Sequence, residues 1–180
     1  MSNSSPYPTP FALPVLRPIE ATDSIIGLTS LLNRAYARLA QMGLNYTAID
    51  QTPDVTANRI RGGNCFVVHI GAKLVGTIVV QPTYTKSDCE YFTRSGVAAA
   101  HQFAVDPEYQ GEGIGRMLLT RVVRWAAEVS FAELAMDTAE QAEHLMEFYT
   151  RSGYRRVGSV QWPGKVYRSA VLSKPLGVSG

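Results

Sequence analysis

The chain reads as one α+β domain built on a mixed sheet, and three observations carry that reading. Strand-like and helix-like periodicities follow the order β-α-α-β-β-β-α-β-α-β-β, which mixes hairpins with strand–helix–strand crossovers. The 180 residues suit one ordinary domain and hardly two. Apolar residues make up 46% of the chain, enough for a real core.

Each element has a local reason. Residues 1–13 are Ser/Pro-rich, lack the charged and apolar regions of a signal peptide, and read as a disordered leader. The domain then spans 14–174, with a short tail at 175–180. Val15 to Ile19 forms a first strand. Thr22 or Asp23 caps a helix whose Leu28, Leu31, Leu32, Ala35, Tyr36 and Leu39 follow i, i+3, i+4 spacing. Thr52-Pro53 opens a second, short helix that stops at Gly62-Gly63. Cys65–Ile70 and Leu74–Val80 are strands of a hairpin broken at Gly71-Ala72. The polar stretch Gln81–Gly96 is longer than a median connection, and such loops are often functional. Val97–Val105 is a strand, Gly113–Val129 an amphipathic helix, Glu133–Met136 a strand and Glu140–Arg151 a helix ended by Gly153. Tyr154–Val160 and Lys165–Leu172 close the chain as a hairpin around Pro163-Gly164. There is no internal repeat.

Composition excludes several functions. With 17 Lys+Arg against 15 Asp+Glu the net charge is +2, not the strong basic excess of a nucleic-acid-binding domain. Apolar runs such as Val97–Ala100 fall far short of the ~20 residues of a bilayer span, so no membrane partner is expected. Cys65 and Cys89 cannot make a disulfide framework or a zinc cluster, and a reducing cytoplasm is the simplest setting. Cys65 belongs to an apolar strand; Cys89 lies in a polar loop and is expected to be solvated. His69, His101 and His144 are scattered without metal-ligand spacing, so no metal is expected.

The densest chemical signal is Val105 to Arg116, which joins a strand directly to a helix. Gly111, Gly113 and Gly115 remove side chains where the backbone turns and where a ligand comes close. The first helical turn offers unpaired N–H groups and a partial positive charge, a ready phosphate site. A P-loop needs Gly-Lys-Ser/Thr, whereas Arg116 follows Gly115. A dinucleotide fingerprint is G-x-G-x-x-G, whereas this run is G-x-G-x-G.

Gln110-Gly111-Glu112-Gly113-Ile114-Gly115, after Ala104-Val105-Asp106-Pro107, resembles the acetyl-CoA-binding motif Q/R-x-x-G-x-G/A of the GNAT family of N-acetyltransferases. Downstream, Phe148-Tyr149 with Gly153-Tyr154 resembles the same family's F-Y-x-x-x-G-F/Y element. The tight match covers about 99–154, and the element order matches over about 14–172. The resemblance implies a GNAT-like α+β fold of about seven strands with helices on both faces, splayed between the fourth and fifth strands. It implies acetyl-CoA as co-substrate, with backbone amides of Gly111, Gly113, Ile114, Gly115 and Arg116 on the pyrophosphate. Gln110 is implied at the mouth of that cradle, and Glu112 among the cofactor-binding residues. Phe103, Ala104 and Val105 end the splayed strand along which the pantetheine arm pairs.

Acetyl transfer to an amine poses two proton problems. An alkyl ammonium with pKa ~10.4 must lose a proton, and the leaving thiolate, pKa ~8.5, must gain one. Tyr149 matches the family's tyrosine beside the CoA sulfur and is the candidate acid; otherwise it is a tyrosine packed between helix and sheet. His101 is the candidate base, or else a satisfied core histidine, since relatives also use glutamate or water. By strand alternation His101, Phe103 and Val105 are expected on one face. By the resemblance the acceptor side includes Tyr36, Tyr84, Trp162 and Tyr167, with Trp162 packing over the acceptor or capping the core. Arg59 and Arg61 end the short helix and complement its dipole.

The expected reaction is direct attack by a primary amine, of a small molecule or of a protein or peptide, in a ternary complex. A catalytically silent CoA-binding sensor on the same scaffold is the alternative. An exposed last strand would allow a homodimer by edge pairing.

Overall fold

The computed structural model describes residues 12–177, so the expected leader lies almost wholly outside the described residues. The element order is the expected one. It comprises β1 (Pro14–Pro18), α1 (Ile25–Gln41), α2 (Pro53–Ile60), β2 (Asn64–Ile70), β3 (Lys73–Gln81), β4 (Val97–Val105), α3 (Ile114–Glu128), β5 (Glu133–Ala139), α4 (Glu143–Arg151), β6 (Arg155–Val160) and β7 (Ser169–Pro175). The strands form one seven-stranded sheet in the order β1-β2-β3-β4-β5-β7-β6. Every neighbouring pair is antiparallel except β4–β5, which is parallel because α3 carries the chain across the sheet between them.

Helices cover both faces. Leu28 and Leu32 of α1 pack with Cys65, Val67, Val79 and Ala104 on one face. Ile114, Leu118 and Val122 of α3 and Tyr149 of α4 pack with Phe66, Ile78, Ala100 and Met136 on the other. Among the inner strands, β3 and β4 bury residues on both faces, which explains their nearly unbroken apolar runs.

The local signals held with small shifts. Ser24, not Thr22 or Asp23, caps α1, its side chain accepting from the Gly27 N–H. Asp23 instead receives two hydrogen bonds of 2.7 Å from Arg17 and one from the Glu20 N–H, tying β1 to the start of α1. Thr52 and Pro53 start α2 as expected. Cys89 is not solvated: it is buried against Phe92, because a 3-10 turn over Glu90–Thr93 folds the long loop back onto β4. The last strand is not an edge. β7 lies between β5 and β6, so the route to a homodimer through it is closed and the sheet edges are β1 and β6.

Candidate active site

The site is built on a parting of strands. β4 and β5 pair only through Val97–Ala99 against Glu133–Ala135. Beyond that point β4 keeps only its β3 partner and β5 only its β7 partner. The facing edges therefore carry peptide groups that need partners. Two tyrosines supply some of them. Tyr36 of α1 donates its hydroxyl to the Phe103 carbonyl at 3.1 Å. Tyr46 accepts from the Ala139 N–H at 2.6 Å and meets the Thr138 hydroxyl at 3.0 Å.

The glycine loop follows β4. Asp106, almost fully buried, accepts from Arg34 of α1 at 2.8 Å and from the Glu108 N–H at 3.1 Å. Burial opposes its charge, but these bonds and the nearby Lys73 hold its carboxyl below the usual range. Gln110 donates to the Val105 carbonyl at 3.2 Å, closing the loop. Gly111 and Gly113 have φ of 84° and 86°, the left-handed region that glycine enters freely. A Cβ at either would meet nothing within 4 Å, so the loop presents bare backbone to open space. Gly113 caps α3 without any side-chain bond, which leaves first-turn N–H groups of Ile114, Gly115 and Arg116 unclaimed by a cap. Glu112 is exposed beside them. A chain of peptide donors with a helix dipole behind it and a splayed strand edge leading away fits a pyrophosphate with an amide-bearing arm.

A cavity of about 610 Å³ opens on the α1–α2 side of the splay. None of the glycine-loop residues lines it, so it stands apart from the phosphate cradle. His101, Tyr149, Tyr36, Tyr84, Trp162 and Tyr167 all line it, which brings the expected catalytic and acceptor residues together. Tyr149 on α4 packs edge-on against Phe148 and Tyr154. Burial, with smaller effects from Tyr36 and Tyr46, raises its pKa well above the ordinary value, so the hydroxyl stays protonated. The Tyr84 hydroxyl stands 3.0 Å from Nε2 of His101. Burial, and less strongly the charge of Arg59, pushes the His101 pKa down to about 3. Tyr167 stacks on Tyr46 at 4.7 Å.

Strand alternation fails at one point. Val79 faces His101 and Thr77 faces Ala104, so Gln102 and Phe103 together oppose Ile78. This is a β-bulge, with Gln102 at φ 51°. His101 therefore faces the α1 side with its cross-strand partner Val79, while Phe103 packs on the α3–α4 side against Phe148 and Tyr149. They do not share a face. Gln102 itself is 3% exposed, lines the cavity, and its side-chain amide has no hydrogen-bond partner among the described residues.

Of the charged groups that line the cavity, Lys165 belongs to the last-hairpin region expected on the acceptor side, whereas Arg59 and Asp137 were not singled out for this site. Arg59 was read as a dipole complement, and it does lie in the last turn of α2. It is also three residues after Thr56, which is buried against Thr29 of α1, so the same helix face turns it inward. Gln51 bridges the two, donating to Thr56 at 2.7 Å and accepting from Arg59 at 3.3 Å. Lys165 donates to the Asn45 carbonyl at 2.7 Å and to Thr47 at 2.9 Å. Asp137 on β5 accepts from Trp162 Nε1 at 2.8 Å, so Trp162 anchors a carboxylate as well as packing on Phe92. Burial raises the Asp137 pKa; the Trp162 bond and the Arg59 charge oppose it. Among the described residues there is no cluster of metal-ligating side chains.

Known proteins place this geometry. The model of the acetyltransferase (GNAT) family matches residues 27–154. S-(2-succino)cysteine N-acetyltransferase of Bacillus subtilis is 31% identical, over 83% of this chain and 88% of that protein. The ribosomal-protein-S18-alanine N-acetyltransferase of Escherichia coli superposes with a TM-score of 0.71 at 16% identity, over 93% of this chain and 97% of that one. A GNAT family acetyltransferase of Elizabethkingia anophelis, solved with acetyl-CoA bound, superposes with a TM-score of 0.65 at 16% identity, over 91% and 98% of the two chains. At that identity the two structures speak for the fold. The matched model, over most of the domain, and the Bacillus relative speak for more: the chain belongs to the acetyltransferase (GNAT) family.

Proposed function

We propose that the protein is an N-acetyltransferase that moves the acetyl group of acetyl-CoA directly to a primary amine. One observation carries the reading: a bare-backbone glycine loop and a separate cavity lined by His101 and Tyr149 adjoin the same β4–β5 parting. The pyrophosphate belongs on the amides from Gly111 to Arg116, and the pantetheine arm along Phe103–Val105. The Bacillus relative, by its name, acts on S-(2-succino)cysteine, which supports a small-molecule acceptor. Two cysteines that are both buried and unpaired support a reducing, cytoplasmic setting.

The chemistry follows from the side chains. The amine nitrogen attacks the thioester carbonyl carbon, the C–S bond breaks, the nitrogen gives up one proton and the sulfur gains one. Tyr149 is the donor to the sulfur. Its hydroxyl holds its proton more tightly than a thiol of pKa ~8.5, so it stabilises the thiolate first as a hydrogen-bond donor. His101 is the first acceptor on the amine side. At a pKa of about 3 it is neutral throughout the working range and always offers a lone pair. It cannot store a proton taken from an alkyl ammonium, since the mismatch costs about 10 kcal/mol. The proton must move on at once, and the Tyr84 hydroxyl 3.0 Å away can take it only as it gives up its own proton to solvent in the open cavity.

CoA release from acetyl-CoA across a panel of amines tests the reading. Turnover is expected, and Tyr149→Phe should lower kcat by about tenfold or more while acetyl-CoA affinity is kept. Tight acetyl-CoA binding without turnover of any amine would leave a sensor rather than an enzyme.

A further inference from the structure

The cavity is lined by three cations, Arg59, Lys86 and Lys165, and two carboxylates, Asp88 and Asp137; Lys86 and Asp88 are exposed. Arg59 and Lys165 both line it, and neither forms an ion pair with a carboxylate among the described residues. Each is held in place by neutral oxygens: Arg59 by the Gln51 amide, Lys165 by the Asn45 carbonyl and the Thr47 hydroxyl. The Gln51 amide is in turn fixed by Thr56, itself bonded to Thr29 of α1. That is a supported arrangement, not a pair of loose surface chains. The two cations also oppose each other: burial lowers the Lys165 pKa first and the Arg59 charge lowers it further, with Asp50 offsetting part of it. Like charges in one cavity are relieved by an anion between them, and the planar guanidinium matches a carboxylate in particular.

The opposite charge is present as well. Asp137 lines the same cavity, lies on β5 beyond the last residue paired to β4, and forms no ion pair among the described residues. Its carboxylate accepts from the neutral indole of Trp162, and the neutral Ser169 hydroxyl also favours its charged form. A cation drawn to Asp137 is thereby drawn to the parted edge along which the thioester is expected. The cavity thus offers both cations and a carboxylate within about 610 Å³, a volume typical of sites for single small molecules.

We propose that the acceptor is a small amine that also bears a carboxylate, an α-amino acid or a close analogue. Its carboxylate is held by Arg59 and Lys165, and its amine is drawn to the Asp137 and His101 side. This rests on the acetyl-transfer reading for its amine half, whereas the carboxylate half stands on the cations alone. A protein N-terminus, whose first carboxylate is tied up in a peptide bond, fits the cavity less well than a free amino acid.

The experiment compares L-amino acids, S-substituted cysteines among them, with their C-terminal amides. Acetylation is followed by CoA release, and binding to the protein with CoA present is followed separately by calorimetry. The acids should exceed their amides by about tenfold or more in kcat/KM and in affinity. Arg59→Met should erase most of that preference by raising KM for the acids, and Lys165→Met should erase part of it. Affinity for CoA alone, retained in both variants, reports that they are folded. Equal use of acids and amides, or binding of neither, would overturn the inference. So would a preference that survives the Arg59→Met, Lys165→Met double variant. An Arg59-dependent preference in binding without any acetylation would uphold the carboxylate site and remove the acetyl-transfer reading instead.

Discussion

His101 shows how far one environment can move a residue from its ordinary behaviour. A free imidazole changes charge near pH 6.5, inside the range where enzymes work. Here burial, reinforced by Arg59, lowers the value to about 3, so the folded protein binds fewer protons than the unfolded chain anywhere between those values. The sign follows from linkage. The contribution of a group whose pKa is depressed on folding is fully present above the unfolded value and is lost as pH falls from about 6.5 towards 3. The C2 proton signal of His101 should therefore stay fixed between pH 5 and 8 in NMR, while that of exposed His144 moves. A signal that titrates near 6.5 would show that His101 takes up charge in the folded state and serves as an ordinary base. At this scale the sequence was legible for residue type and less so for surroundings. Tyr149 stood out because its segment resembles the family's F-Y-x-x-x-G element, and His101 because an imidazole can accept a proton at neutral pH; both line the cavity. Arg59 did not, because a cation closing a helix and a cation facing a cavity look alike until α1 and α2 are packed together.

Elements position these residues, and the close contact between β3 and α3 fixes the glycine loop. A Cβ at Gly76 of β3 would come within 2.9 Å of Ile114 and 3.0 Å of Leu118, the first turns of α3. Ile114 begins the helix whose first amides face the cradle, so any outward push there also displaces the donors. Gly76→Ala should cost about 1–3 kcal/mol in urea unfolding, as overpacked cores do. It should also weaken CoA binding, although residue 76 lies outside the loop. Unchanged stability would mean that α3 yields at no cost and that this contact does not set the loop. The strand and helix order was readable from periodicity and punctuation: Thr52-Pro53, Gly62-Gly63 and Gly153 each mark a real boundary. Two features were not. β5 runs three residues past Met136, through Asp137 and Thr138, because β7 continues the ladder there although the apolar run has ended. The bulge at Gln102 carries no glycine or proline to announce it; it exists only in the register of β4 against β3, and it separates His101 from Phe103.

For the whole molecule, the parting of β4 from β5 is a defect in an otherwise continuous sheet. A sheet of seven strands with both faces covered gains from every ladder it completes, and here six of the nine residues of β4 are left without a partner on one side. Tyr36 and Tyr46 answer only part of that need. In the proposed reading the rest falls to a ligand that brings its own amides, so its binding should stabilise the whole domain and not the loop alone. The net charge of +2 does not argue against so anionic a ligand, because the cradle is made of backbone N–H groups and not of basic side chains. CoA at a hundred times its dissociation constant adds ~2.7 kcal/mol. For a domain of this size that is a rise of about 5–11 °C in melting temperature. ATP and NAD at the same concentration should give much less, since neither carries the pantetheine amides that the β4 edge would pair with. Hydrogen exchange should slow along residues 100–105 as well as at 111–116 when CoA is added. Equal stabilisation by ATP, with protection confined to 111–116, would reduce the site to a phosphate cradle and detach it from the strand edge.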